Sequence, residues 1–383
     1  MNKRLFLSPP HMCGKEIVLV NETFESNWIA PAGPDIEAFE KELCAFTGDQ
    51  NAVALSSGTA ALHLALIVSG VKAGDDVYCS SFTFAGSAFP IVHLGANPVF
   101  IDGENISWNM DPQLLKEAVE YSIKNNRKPA AVILVHLYGQ SANVELIKEI
   151  CDCYGIVLIE DAAESLGAFC GDLHTGTIGD FGIYSFNGNK IITTSGGGML
   201  VGKNKSLIDR ARHLSTQARE SFPYYHHVNV GYNYRMSNIC AAIGRGQLTA
   251  LNERIEKKRQ IYGYYKKQFE NIDSVKLIPS DVYGKSNCWL TCIVFDRKTG
   301  IEPEKVRLEL EKENIESRPL WKPMHLQPVF SSAKSFVNGT SEDLFNRGLC
   351  LPSGTAMNEH DMDRVIEILK TFLTKPQLET VTC

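Results

Sequence analysis

The chain has 383 residues, long for one domain and comfortable for two, and its 44% apolar share is enough for a sizeable core. A formal net charge of -6 supplies no basic field, so neither nucleic acid nor an anionic membrane is an expected partner. No apolar run approaches a membrane span; residues 130–135, Ala-Ala-Val-Ile-Leu-Val, are strand-sized.

The N-terminus begins with basic residues but has only three apolar residues before polar and proline residues, too few for a signal peptide. Eleven cysteines are scattered, with no Cys-x-x-Cys pair and no His/Cys cluster at zinc spacing. A cytoplasmic chain with reduced thiols and no metal is expected.

Short apolar runs then alternate with helical patterns. Residues 52–55 read as a strand, followed by Ser-Ser-Gly-Thr-Ala at 56–60 and an apolar helix at 61–68. Further strands are predicted at 76–79, 96–101, 130–135 and 156–160, and a helix at 144–154 puts Cys151 and Cys153 on different faces. A β-like run at 183–186 precedes Lys190 and three glycines, Gly196, Gly197 and Gly198. The runs are continuous rather than alternating, as in strands covered on both faces, which predicts an α/β fold with a mostly parallel sheet. A long charged helix starts near residue 244 and ends at Phe269. Beyond it, 275–278 and 289–295 read as strands and 302–313 and 359–373 as amphipathic helices. This predicts a large domain over 1–250 and a smaller α+β domain over 251–383.

Four features carry chemistry. Lys190 lies between a strand-like run and a glycine cluster, where a partly buried amine can shed its proton and meet an aldehyde; a solvated surface lysine is the plainer alternative. The 56–60 segment, including Gly58 and Thr59, follows a strand and opens a helix, which suits a phosphate or is simply a cap. Asp161 follows a buried strand, where it can pair with a protonated ring nitrogen or cap a helix through Ser165. Thr83 and Phe84 follow another strand, and the ring of Phe84 can stack on a planar cofactor or pack in the core. Together, phosphate cradle, stacking ring, acid and lysine are what pyridoxal phosphate requires.

On these residues the chain resembles the DegT/DnrJ/StrS family of sugar-nucleotide aminotransferases. The resemblance runs from Ser-Asn-Trp-Ile-Ala-Pro at 26–31 and Ser-Gly-Thr-Ala-Ala-Leu at 57–62, through Glu-Asp-Ala-Ala-Glu at 160–164 and Ser-Phe-x-x-x-Lys at 185–190, to Gly-Tyr-Asn-Tyr-Arg-Met at 231–236. The segments 185–199 and 318–325 narrow it to a likeness with UDP-4-keto-6-deoxy-GlcNAc aminotransferases of the N-acetylbacillosamine route. The resemblance implies a fold-type-I transferase, whose large domain has a mostly parallel seven-stranded sheet.

It also implies residue roles. Lys190 forms the Schiff base, Asp161 bonds the pyridine nitrogen, Phe84 stacks on the ring, and Gly58, Thr59 and Ser185 hold the phosphate. Glu164 lies near the ring hydroxyl, and Asn233 reaches the phosphate of the partner subunit, so a homodimer with shared sites is expected. Asn27, Trp28, Ile29 and Ala30, with Gly58, Ser185, Arg318, Lys322, His325 and Gln327, would line the nucleotide-sugar pocket. Many relatives carry Gly-Glu-Gly-Gly where this chain has Ser195 and its three glycines, so no charged contact is expected there.

The implied reaction moves an amine from L-glutamate to C4 of a UDP-4-keto-6-deoxy sugar. Amination at C3, a dTDP sugar, and a non-catalytic regulatory protein that binds the cofactor are the alternatives. The family's 3-dehydratases carry His at the Schiff-base position, and Lys190 argues against that activity.

Overall fold

The computed structural model describes residues 3–48 and 51–373. In chain order the strands are β1 Asn51–Leu55, β2 Asp76–Ser80, β3 Asn97–Ile101, β4 Ala131–Val135, β5 Val157–Asp161, the hairpin β6 Phe169–Cys170 and β7 Leu173–His174, β8 Phe181–Ser185 and β9 Gly198–Gly202. There follow β10 Val275–Leu277, β11 Thr291–Phe295, β12 Arg318–Pro319, β13 Lys334–Phe336 and β14 Gly348–Leu351.

The large sheet has the order β1-β9-β8-β5-β4-β2-β3-β13. β9 runs against β1 and β8, and the remaining pairings are parallel. Burial accounts for the arrangement: β4 is covered along its whole length, and β1, β2 and β5 are covered except at their first residues. One face packs on the helices Gly58–Val68, Ala85–His93 and Lys205–Ser215, and the other on Pro112–Lys124 and Val144–Tyr154. On the latter helix Cys151 is buried and Cys153 exposed.

A second, antiparallel sheet has the order β10-β11-β14-β12 and packs on the helices Leu251–Phe269, Pro303–Lys312 and Glu359–Leu373. Segments cross between the two bodies in both directions. Leu5 bridges to Ile315 beside the small sheet. Lys334, Ser335 and Phe336 pair in parallel with Val99, Phe100 and Ile101, giving the large sheet an eighth strand beyond the seven expected. Three residues are too few to show a strand period. What fixes β13 is distant: buried Asp102 accepts the backbone N–H groups of Asn338, Gly339 and Ser341.

The expected helix from residue 244 to Phe269 is two helices, Asn238–Leu248 and Leu251–Phe269. At the break the Thr249 hydroxyl donates to the Gly246 carbonyl at 2.7 Å, a local bond that competes with helix continuation. No helix among the described residues is long and apolar enough to cross a membrane. Of the cysteines among them, Cys79, Cys151, Cys170, Cys288, Cys292 and Cys350 are buried.

Candidate active site

A cleft of about 960 Å³ opens at the carboxyl ends of β1, β4, β5 and β8, where ligands bind in open α/β sheets. Lys190 sits in the turn after β8, its amide bonded to the Asn187 carbonyl at 3.0 Å. Its Nζ stands 3.3 Å from Glu164 Oε1 and 4.4 Å from the centre of the Trp289 ring, and the side chain is only 12% exposed. It is therefore not a solvated surface lysine. Glu164 is buried, and its Oε2 accepts the Tyr138 amide at 2.8 Å. Burial pushes its carboxyl up to about 7, against the pull of Lys190.

Asp161 is the last residue of β5, nearly buried. The Ser87 hydroxyl donates to its Oδ2 at 2.6 Å and the Ala163 amide to its Oδ1 at 3.1 Å. Ser87 is held in turn by Thr83 Oγ1 at 2.7 Å. Residues 162–167 form turns rather than the helix that Asp161 could have capped, so the carboxylate stays at the cleft wall.

At the start of the helix Gly58–Val68, the Ser57 hydroxyl accepts the Ala60 amide at 3.0 Å, so Ser57 is a cap. The N–H groups of Gly58 and Thr59 belong to the first turn and have no helical partner, and they open toward the cleft at the positive end of the helix dipole. The packing is tight at Gly58 and requires glycine at Gly198. A Cβ on Gly58 would stand 3.2 Å from Cβ of Ser185, and one on Gly198 only 2.4 Å from the Gly58 nitrogen.

Phe84 does not pack in the core: it is 62% exposed and lines the cleft, its ring centre 6.1 Å from that of Trp321. Gly196 and Gly197 line the cleft too. Arg318 lines the mouth and pairs with Glu316 at 2.7 Å, while the other Glu316 oxygen accepts the Leu7 amide at 3.0 Å.

The remaining expected pocket residues do not line this chain's cleft. Asn27, Trp28, Ile29 and Ala30 lie on a loop after the helix Lys15–Glu25, with Trp28 and Ile29 exposed and the Ala30 carbonyl accepting the Asn238 amide at 2.8 Å. Lys322 is exposed and its carbonyl accepts from Gln327 at 3.2 Å, while His325 Nδ1 lies 2.6 Å from the Ser81 hydroxyl. Asn233 is exposed outside this chain's cleft, its Oδ1 accepting from Gln217 at 3.0 Å. Arg235, a further candidate for holding a donor carboxylate, is largely buried and committed to Glu40 at 2.5 Å and to the Ala54 carbonyl at 3.0 Å.

Sequence reading missed Ser87, Tyr138, Trp289 and residues 6–10, all of which build or support the wall. Ser87 lies in an apolar helix, and Tyr138 acts through its amide on Glu164 and its hydroxyl on the Trp321 amide, so neither shows a motif. Among the described residues no group of three His, Cys, Asp or Glu could hold a metal ion.

Residues 10–370 match the model of the DegT/DnrJ/EryC1/StrS aminotransferase family. The chain is 50% identical over 373 residues to the putative pyridoxal phosphate-dependent aminotransferase EpsN of Bacillus subtilis, covering 96% of each. It is 37% identical over 363 residues to the GDP-perosamine synthase of Escherichia coli O157:H7, covering 95% of this chain and 97% of that one. Among solved structures, DesI in the presence of its TDP-sugar product superposes with a TM-score of 0.89 at 27% identity, over 98% of this chain and 94% of that one.

Proposed function

The chain belongs to the DegT/DnrJ/EryC1/StrS aminotransferase family and is a pyridoxal-phosphate-dependent sugar-nucleotide aminotransferase, and from that premise we propose its substrates and residue roles. It moves an amino group from glutamate to C4 of a UDP-4-keto-6-deoxy-N-acetylhexosamine, giving a UDP-4-amino-4,6-dideoxy sugar, as a cytoplasmic homodimer. The carrying observation is that Lys190, Asp161 and the open helix start at Gly58 meet in one cleft.

These residues fit the cofactor. Gly58 and Thr59 present first-turn N–H groups beside Ser185, which a Cβ on Gly58 would crowd, and a nearly buried carboxylate and a partly buried amine face the same space. When bound, the cofactor supplies an aldehyde that takes up an amine and an electron-withdrawing ring. Gly58, Thr59 and Ser185, which line the cleft, would hold its phosphate, and Phe84 would cover its ring. Asp161, fixed by Ser87, would hold the proton on the pyridine nitrogen, and Glu164, on the same cleft wall, would serve the ring hydroxyl. Lys190, when its amine is free, would take the proton from the donor's α-carbon and in the second half-reaction would return one at C4 of the sugar. Arg318 exchanges Glu316 for the pyrophosphate. Asn233, outside its own cleft, serves the phosphate bound by the partner subunit.

The relative named for GDP-perosamine makes a GDP-linked sugar the competing substrate. The test gives the aminated enzyme UDP-, GDP- and dTDP-4-keto sugars separately and identifies each product by NMR. We expect an amine at C4 of the UDP sugar; amination at C3, or preference for another nucleotide, overturns the substrate assignment. Lys190→Ala loses the visible cofactor band and turnover, by at least about 10³-fold. Normal amino transfer by that variant rejects the role of Lys190.

A further inference from the structure

Lys258 is a second lysine near this cleft that the reaction above does not use. It projects from the helix Leu251–Phe269, is only 2% exposed, and has no carboxylate partner among the described residues. Leaving a lysine buried without a counterion is unfavourable unless its hydrogen bonds do something else. Its Nζ donates to the Ser8 hydroxyl at 3.1 Å and to the Trp289 carbonyl at 2.9 Å. Those two partners converge again on one atom: the Asn189 carbonyl accepts the Ser8 hydroxyl at 3.0 Å and the Trp289 indole N–H at 2.9 Å.

The four groups close a ring of hydrogen bonds, and Asn189 is the residue immediately before Lys190. Trp289 is also the ring over which the Lys190 ammonium stands, at 4.4 Å. A cavity of about 10 Å³, the space that about one water requires, is lined by both Lys190 and Lys258. The ring thus ties three distant pieces together: residues 6–10, the turn carrying Lys190, and the approach to β11.

We propose that Lys258 is a positioning residue for Lys190, clamping Ser8 and Trp289 onto Asn189 so that the Lys190 amine is held over the indole and aimed into the cleft. The inference rests on the role given to Lys190 above. Burial pushes the Lys258 amine down to about 7, so it carries part of a positive charge at neutral pH. The titratable and charged groups around it are Cys288, Lys190 and His11, with Arg254 on its own helix.

The test uses the full-length, cofactor-loaded enzyme. In Lys258→Met, cofactor content stays at the wild-type level and the single-turnover rate at saturating amino donor falls about tenfold, while the donor concentration giving half that rate is unchanged. Ser8→Ala cuts both bonds made by the Ser8 hydroxyl and Trp289→Phe cuts the indole bond to Asn189, and both keep the proposal testable even if the buried lysine is needed for folding. Both lower the rate in the same direction, and combining Ser8→Ala with Lys258→Met adds less than the two separate effects. Wild-type saturating rates in these variants, with or without a fall in melting temperature, would overturn the proposal. Borohydride trapping with peptide mapping of the wild type separates the two readings. Trapping on Lys190 leaves Lys258 to stand or fall on its own variants, whereas trapping elsewhere overturns both.

Discussion

The wall of the cleft built by the large sheet and the wall built by residues 6–10 and 316–321 hold their polar groups differently. On the sheet side, Asp161 and Glu164 are nearly or fully buried, and each accepts hydrogen bonds from fixed donors: Ser87 and Ala163 for one, Tyr138 and Lys190 for the other. On the opposite side, Arg318 is 69% exposed on its side chain and held by one carboxylate, Glu316. Buried, fully bonded charges cannot reorient without leaving a partner unpaired, which suits groups that must face one set of atoms. An exposed ion pair is worth little and exchanges easily, which suits groups that must release one partner and accept another. The lesson is a division between a rigid, buried wall and an adaptable, exposed one.

Substitutions on each side test that division, beginning with the largest expected effect. Asp161→Ala, on the rigid wall, is expected to lower kcat by about 10²–10³-fold and to weaken cofactor retention on gel filtration. A loss under tenfold would break the contrast, because the buried acid would then be dispensable. Glu164→Gln sharpens it through pH. The folded carboxyl, held at about 7, sits above its ordinary 4.5, so the folded chain binds a proton that the unfolded chain has lost. Glu164 therefore destabilises the cofactor-free chain progressively as pH rises from about 4.5 to 7 and in full above that. Denaturant titrations should show Glu164→Gln gaining on the wild type over that window, on the order of 1–3 kcal/mol, then levelling. A constant difference across pH would contradict this. Arg318→Ala, on the adaptable wall, is expected to raise KM for the nucleotide sugar roughly fivefold with kcat and melting temperature unchanged. A matching fall in kcat would erase the distinction between the walls.

Much of the rigid wall was legible in the sequence and little of the other. Lys190, Asp161, Gly58 and Phe84 each stand just past a continuous apolar run, and strand ends are where a parallel sheet gathers its ligands. Glu316, Trp289 and residues 6–10 carry no such local mark. They reach the cleft because the N-terminal segment crosses to the small sheet at Leu5 and Ile315. The same limit applies to β13, three residues whose pairing depends on Asp102 far back in the chain.

By itself, the order of residues determined the parallel strands, the helix that begins at Gly58, and the acid and lysine that follow strands β5 and β8. These are local properties: apolar continuity makes a buried strand, and capping and glycine end or open an element within a few residues. Only the tertiary structure decided that Ser87 grips Asp161, that Glu164 and Trp289 flank Lys190, and that Arg235 is committed to Glu40. The physical reason is the range of the forces. Burial and hydrogen bonding between side chains far apart in sequence exist only once the strands have brought their ends to one edge, and no local pattern encodes which partners meet there.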